Sequence, residues 1–230
     1  MSDGGRDLGR DEIIQLLREV GGLLEARGLT ASIYVVGGTA MALTLNSRRV
    51  TRDVDAALRD HPDELREAAD QVAAAHGLGR DWFNSAAIAF TTNEADVDAG
   101  ELTVPGLDIS IISPKHLLAM KIRANRGKDL DDLVYLFNFL GIEEPQQAAD
   151  ITNELFDDTY VGWFDPDEAL YIAEDVFRSA EARGLPIGSA RIDEQDLGLA
   201  AEAGGGWSEA ARNYVRATAD DQPANGAPQQ

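Results

Sequence analysis

The sequence predicts an α/β (or α+β) core followed by a helical C-terminal region, and three observations predict it. Residues 32–36 (SIYVV) and 107–112 (LDISII) are short, β-branched and apolar, and read as buried strands. The stretches between and beyond them carry apolar residues at helical spacing. The order runs helix, strand, helix, strand, helix, strands, and then helices alone.

Along the chain, Ile13, Leu16, Leu17, Val20, Leu23 and Leu24 lie at helical spacing within residues 11–27, and Gly28 supplies a stop. After the first strand, Gly37-Gly38 makes a break and residues 39–45 (TAMALTL) read as a short helix. Residues 48–51 form a basic loop, and residues 53–58 a second strand. Residues 62–76 combine an early proline, acidic residues in the first turn and a glycine just past the end, the signals of a well-bounded helix. Between residues 80 and 105 the pattern is mixed, with a strand expected at 86–91 and an acidic loop at 93–100. Pro114 opens a helix carrying Leu117, Leu118, Met120 and Lys121, Gly127 interrupts it, and residues 129–140 form another. Residues 145–183 read as helices with a turn around 161–166. One more helix is expected at 208–218, where Trp207 would dock it or touch a partner. The expected organisation is an N-terminal helix over 1–29, a core over 30–140, a helical extension over 141–218 and a disordered tail over 219–230.

With no cysteine among the 230 residues, disulfides, thiolate nucleophiles and cysteine-based zinc sites are excluded, so metal chemistry needs oxygen ligands. No apolar run is long enough to span a membrane, and the opening MSDGGRDLGRDE lacks the pattern of a secretory signal, so the cytoplasm is the expected location. A formal net charge of -21 argues against a broad surface that binds nucleic acid through phosphates alone. The cations are nevertheless clustered. Lys115, Lys121 and Lys128 are the only lysines, Arg123 and Arg126 lie among them, and Arg48, Arg49 and Arg52 make a second knot. Such local positive pockets suit a polyphosphate.

Four elements carry chemistry. Gly37-Gly38 lets the chain turn tightly between strand and helix and approach a ligand, though such a pair is more often only a turn. Asp53-Val54-Asp55 puts two carboxylates on one face of a strand. They are either solvated acids on an edge strand or a Mg²⁺ site completed by substrate phosphates. Asp108 shares its strand face with Ser110, and a neighbouring strand could bring it to the same metal. It could equally be an acid at a strand entrance. In residues 121–132 (KIRANRGKDLDD), Lys121 could neutralise phosphate charge, while Asp129 could orient that lysine, act as a base, or only favour a helix start. Asp131 and Asp132 are expected to do no more than the last. His61, His76 and His116 show no ligand spacing and read as surface or helix-end residues. Ser47 and Ser113 have no histidine partner at a recognisable spacing. Trp82-Phe83 and Trp163-Phe164 read as core or interface aromatics.

VVGGTAMALTLNSRRVTRDVDAAL and SPKHLLAMKIRANRGKDLDDLVYL together resemble the polymerase-β-like nucleotidyltransferases, in particular the branch of the AbiEii-type toxins of toxin–antitoxin and abortive-infection systems. Gly37-Gly38 and Asp53-Val54-Asp55 match the family's glycine turn and Asp-hydrophobic-Asp strand, approached through Arg49 and Thr51. Lys121 and the run from Lys128 through Asp129 to Asp132 match the branch's lysine and basic-Asp-Leu-x-Asp segment. The resemblance covers residues 30–140 and implies a small mixed sheet with flanking helices. It implies catalysis by Asp53, Asp55, Lys121 and Asp129, with Asp53 and Asp55 holding Mg²⁺, and nucleotide binding by Gly37, Gly38, Thr39, Arg49 and Thr51; no motif fixes the third carboxylate, and Asp108 is expected there, as a metal ligand and catalytic residue, from its position alone. It also implies an NTP substrate, a tRNA, protein or small-molecule hydroxyl as acceptor, and a cognate antitoxin as partner. The alternative is a non-catalytic relative that binds a nucleotide or a protein.

Overall fold

A computed structural model describes residues 6–46, 49–156 and 165–188, and within them the fold is mixed α/β. The expected helix at 208–218, the 219–230 tail, Ser47, Arg48, Trp163-Phe164 and Trp207 lie outside the described residues. The elements in order are α1 (Arg10–Glu25), β1 (Ala31–Val36), α2 (Gly37–Ala40), β2 (Val54–Leu58), α3 (Pro62–His76), β3 (Phe83–Asn84), β4 (Gly100–Val104), β5 (Leu107–Ile111), α4 (Pro114–Ala124), α5 (Leu130–Leu140), α6 (Pro145–Leu155) and α7 (Pro166–Arg183).

The five strands form one sheet in the order β3-β2-β1-β5-β4. β1 runs parallel to β5 and antiparallel to β2, β2 is parallel to β3, and β4 is antiparallel to β5. Alternation along the strands gives the sheet two unlike faces. Ile33, Val35, Val54, Ala56, Ile109 and Ile111 are buried on one, while Ser32, Tyr34, Asp55, Asp108 and Ser110 occupy the other. The apolar face belongs to a core that also takes in Leu16, Leu17 and Val20 of α1 and Ile172, Ala173 and Val176 of α7, so the late helices share the core of the sheet. Among the described residues, no helix is long and apolar enough to cross a membrane.

Helix ends follow local chemistry. α3, α4, α6 and α7 each open with a proline, whose missing N–H is one a first turn leaves unbonded anyway. α6 adds a reciprocal capping box between Glu144 and Gln147. α3, α5 and α7 stop at glycines with positive φ.

Three elements differ from expectation. The helix after β1 starts at the glycines themselves, and residues Met41–Leu45 widen into a π turn closed by the Asn46 N–H on the Met41 carbonyl. Residues Ala86–Phe90 form a 3₁₀ turn and not a strand, because the Ala86 and Ala87 N–H groups are taken by side chains, Asn84 and Asp55 respectively. The acidic loop ends sooner than expected, and β4 follows it as an edge strand.

α1 crosses the β4–β5 turn at close range. A Cβ placed on Gly21 would lie 2.2 Å from the Pro105 carbonyl oxygen, whereas one on Gly22, a residue exposed to solvent, would meet nothing within 4 Å. Gly21→Ala is therefore expected to destabilise by about 1–3 kcal/mol through overpacking. Gly22→Ala should be neutral or stabilise by up to about 1 kcal/mol through helix propensity. Urea denaturation of the two variants measures this opposition; equal effects would contradict the packing.

Candidate active site

The ends of β1 and β2 determine where the site lies. Val36 pairs with Asp55 at the point where β1 gives way to the glycine turn, so the turn faces the acids. Gly37 has φ +67°, a conformation that side chains with a Cβ rarely adopt. A Cβ there would sit 3.4 Å from the Asp55 Oδ2 atom, and a Cβ on Gly38 would sit 3.0 Å from the Thr51 hydroxyl. The glycines thus leave room beside one acid and beside the residue that leads to the other. The helix they open runs only four residues before the π turn, so the space they clear matters more here than a helix dipole.

Val54 is fully buried, and Asp53 and Asp55 on either side of it both line the cleft. Asp53 accepts a hydrogen bond from the Asn84 Nδ2 at 3.2 Å on Oδ2 and from the Thr51 hydroxyl at 3.3 Å on Oδ1. Its main-chain carbonyl accepts from the hydroxyls of Thr39, at 2.7 Å, and Thr51, at 3.3 Å. Asp55 accepts from the Ala87 N–H at 3.2 Å. Burial and then the negative charge of Asp53 raise the Asp55 pKa above its ordinary 3.8, outweighing the Ala87 N–H and the Arg126 and Lys128 charges that lower it.

The opposite wall comes from α4, α5 and the turn between them. Lys121 is 3% exposed, and its ammonium donates to Asp129 at 2.9 Å and to Asp132 at 2.8 Å. Arg49 grips the same Asp132 through its Nε at 2.9 Å and a terminal nitrogen at 3.3 Å. Burial alone would raise the Asp132 pKa, but Lys121 and Arg49 outweigh it and the net direction is down. Arg126 rests on the Phe90 ring, 4.9 Å from its centroid, and with Lys128, Met120 and Ala124 it completes the lining.

Of the residues singled out from the sequence, Gly37, Gly38, Arg49, Thr51, Asp53, Asp55, Lys121 and Asp129 meet in this one cleft. Two do not. Asp108 lies on β5, which does neighbour β1, but it pairs with Ser32 and not with the Val36 end. That is four residues, about 13 Å along the strand, from the level of Asp55. Asp108 is exposed there and does not line the cleft. Thr39 is buried, and its hydroxyl is directed at the Asp53 main chain. Asp132, expected to be a helix-start acid only, is instead the shared anchor of Lys121 and Arg49; its i, i+3 relation to Asp129 was the available signal. Asn84, Phe90, Arg126 and Lys128 also belong to the site, and for Asn84 and Phe90 no sequence pattern marked them.

His116 is a helix-end residue, in the first turn of α4, and is partly buried. Its Nδ1 lies 3.1 Å from the Ser113 hydroxyl and 3.2 Å from Asp96, which also accepts from the Tyr34 hydroxyl and the Ser113 N–H. Serine and acid meet the same ring nitrogen, so the arrangement ties the acidic loop to α4 and does not relay a proton through the ring.

Residues 11–137, more than half of the chain and the span that holds every cleft residue, match a family model described as a nucleotidyltransferase of unknown function, DUF6036. The chain belongs to this nucleotidyltransferase family. No curated protein and no solved structure matches it. The match takes in α1 and the sheet as well as the cleft, so the family's extent reaches back before the glycine turn.

The two perturbed acids that line the cleft of this nucleotidyltransferase fold predict opposite effects of neutralisation. Asp55 has a raised folded-state pKa, so its contribution turns unfavourable as pH climbs through that value and stays so at neutral pH. Asp132 has a depressed one, so its contribution is present above the unfolded value and is lost as pH falls through the folded value. At pH 7, Asp55→Asn should raise the thermal midpoint. Asp132→Asn should lower stability by about 1.5–3 kcal/mol, the scale of a charge-assisted hydrogen bond. The Asp55 difference should shrink as pH falls below its raised folded value and be gone by about pH 4, the ordinary carboxylate range, whereas the Asp132 difference should only begin to shrink there. Thermal melts across pH check the signs, and a stabilising Asp132→Asn would contradict the network.

Proposed function

We propose that this protein is a Mg²⁺-dependent enzyme that transfers a nucleotide from an NTP to a hydroxyl. The observation that carries the reading is a single cleft that Asp53 and Asp55 share with Lys121, paired to Asp129 and Asp132, with Arg49, held by the same Asp132, and with the further cations Arg126 and Lys128. In a chain of net charge -21, that concentration of cations has a polyphosphate as its natural ligand.

The donor set fits a hard cation. Both acids offer oxygen only, Asp55 is made less acidic by burial and then by the charge of Asp53, and Gly37 leaves open space beside Asp55 Oδ2. Asp53 and Asp55 would hold the ion, which when bound supplies charge neutralisation and polarisation at the phosphates. Lys121 keeps one ammonium hydrogen beyond the two given to Asp129 and Asp132, and with Arg126 and Lys128 it binds the triphosphate. Asp129 orients Lys121. The apolar patch of Phe90, Met120 and Ala124 gives the nucleoside a place outside the charged centre. The acceptor hydroxyl oxygen bonds to the α-phosphorus and its proton is taken up at the carboxylate pair. The bond from the α-phosphorus to the bridging oxygen breaks, and pyrophosphate leaves.

Resemblance to the AbiEii-type branch supports tRNA as an acceptor, and with it a role as the toxin of a toxin–antitoxin or abortive-infection system; a protein or small-molecule hydroxyl uses the same chemistry. A second reading, a non-catalytic nucleotide- or protein-binding module, has one observation in its favour. Among the described residues no three acidic or histidine side chains converge as a metal cluster.

Incubation with each labelled NTP, Mg²⁺, total tRNA and a protein extract decides between the two readings and names the acceptor by the labelled product. Asp53→Ala and Asp55→Ala should each abolish transfer with the fold retained, while Asp108→Ala should leave it within about twofold. Transfer by either of the first two variants at the wild-type rate would remove the assignment.

A further inference from the structure

The geometry points to Asn84 as a positioning residue that orients both Asp53 and Asp55 for the cation, an inference that rests on the metal reading above. Asn84 closes the short strand β3 and sits opposite Asp55 in the parallel β2–β3 pairing. Its side chain makes three hydrogen bonds. The Nδ2 donates to Asp53 Oδ2 at 3.2 Å and to the Asp81 carbonyl at 3.1 Å, and the Oδ1 accepts from the Ala86 N–H at 2.8 Å.

The first contact turns Asp53 directly. The third acts on Asp55 at one remove. By holding the Ala86 N–H, Asn84 starts the 3₁₀ turn Ala86–Phe90, and that turn presents the Ala87 N–H to Asp55 Oδ1. One amide therefore steadies one oxygen on each acid. The other two oxygens are Asp53 Oδ1, which accepts from the Thr51 hydroxyl, and Asp55 Oδ2, which lies beside Gly37.

An amide is the side chain that can do this beside two like charges. It donates to a carboxylate and accepts from a main-chain N–H at once, and it adds no third negative charge. A carboxylate at residue 84 would still accept from Ala86, but its second oxygen would face Asp53 Oδ2 as a like charge unless a cation lay between them. Asn84 touches the ligands and not the ion, and such outer partners commonly control affinity.

The test is Mn²⁺ binding by electron paramagnetic resonance and thermal melts with and without Mn²⁺, on the full chain, for wild type, Asn84→Ala, Asn84→Asp and Asp53→Ala. Wild type should bind Mn²⁺ and Asp53→Ala should not. Asn84→Ala should bind about 10–100-fold more weakly, the usual effect of removing a partner that orients a ligand. Asn84→Asp should melt lower than wild type without metal, yet gain more from Mn²⁺ than wild type does. A merely structural asparagine would not produce that crossing. Mn²⁺ affinity of Asn84→Ala within about twofold of wild type would overturn the inference while leaving the metal site standing. If Asn84→Ala does not fold, an Asn84→Asp melt no more responsive to Mn²⁺ than wild type overturns it equally. A wild type that binds no Mn²⁺ would remove the metal reading and this inference with it.

Discussion

Two like charges held two residues apart at the mouth of a sheet are the constraint around which this fold is arranged. Burial disfavours the charged form of Asp55, and the like charge of Asp53 beside it adds to that penalty. Every neighbour offsets part of that penalty. Asn84, Thr51 and the Ala87 N–H donate to the carboxylates, the Thr39 hydroxyl fixes the Asp53 main chain, and Arg126 and Lys128 draw the Asp55 pKa back down. The glycine turn keeps the space beside the acids clear. Acids perturbed in this way cluster at functional sites.

The facing wall solves the converse problem. Lys121 is a buried cation, and Asp129 and Asp132 both pair with it. Arg49 extends the chain of charges from the loop before β2 to α5, 83 residues away in sequence. The two halves of the site, drawn from the sheet and from the helices, are thereby fastened together by ion pairs as well as by the shared apolar core. Their registry sets the width of the cleft.

What the sequence made legible was whatever rests on local periodicity. The β-branched run of β1, the proline-to-glycine span of α3 and the i, i+2 acids could each be read from adjacent residues. The family membership also lay in two short segments. What depends on distant partners was not legible. Ala86–Phe90 has the composition of a strand, but its N–H groups are claimed by Asn84 and Asp55, and that competition is invisible without the third dimension. Asp108 has the right strand neighbour and the wrong level, because parallel register between β1 and β5 places it beside Ser32. Asp132 passed for a helix-start acid because its two cationic partners lie 11 and 83 residues away.

The central claim is that the acid pair and the cation wall form one receptor for a metal-bound triphosphate. Titration calorimetry with a non-hydrolysable NTP analogue, in Mg²⁺ and again in excess chelator, tests it most directly. The account predicts saturable binding in Mg²⁺ that weakens by at least about tenfold in chelator, since the triphosphate would then meet Asp53 and Asp55 as bare like charges. Equal affinity in both buffers, or none in either, would contradict it.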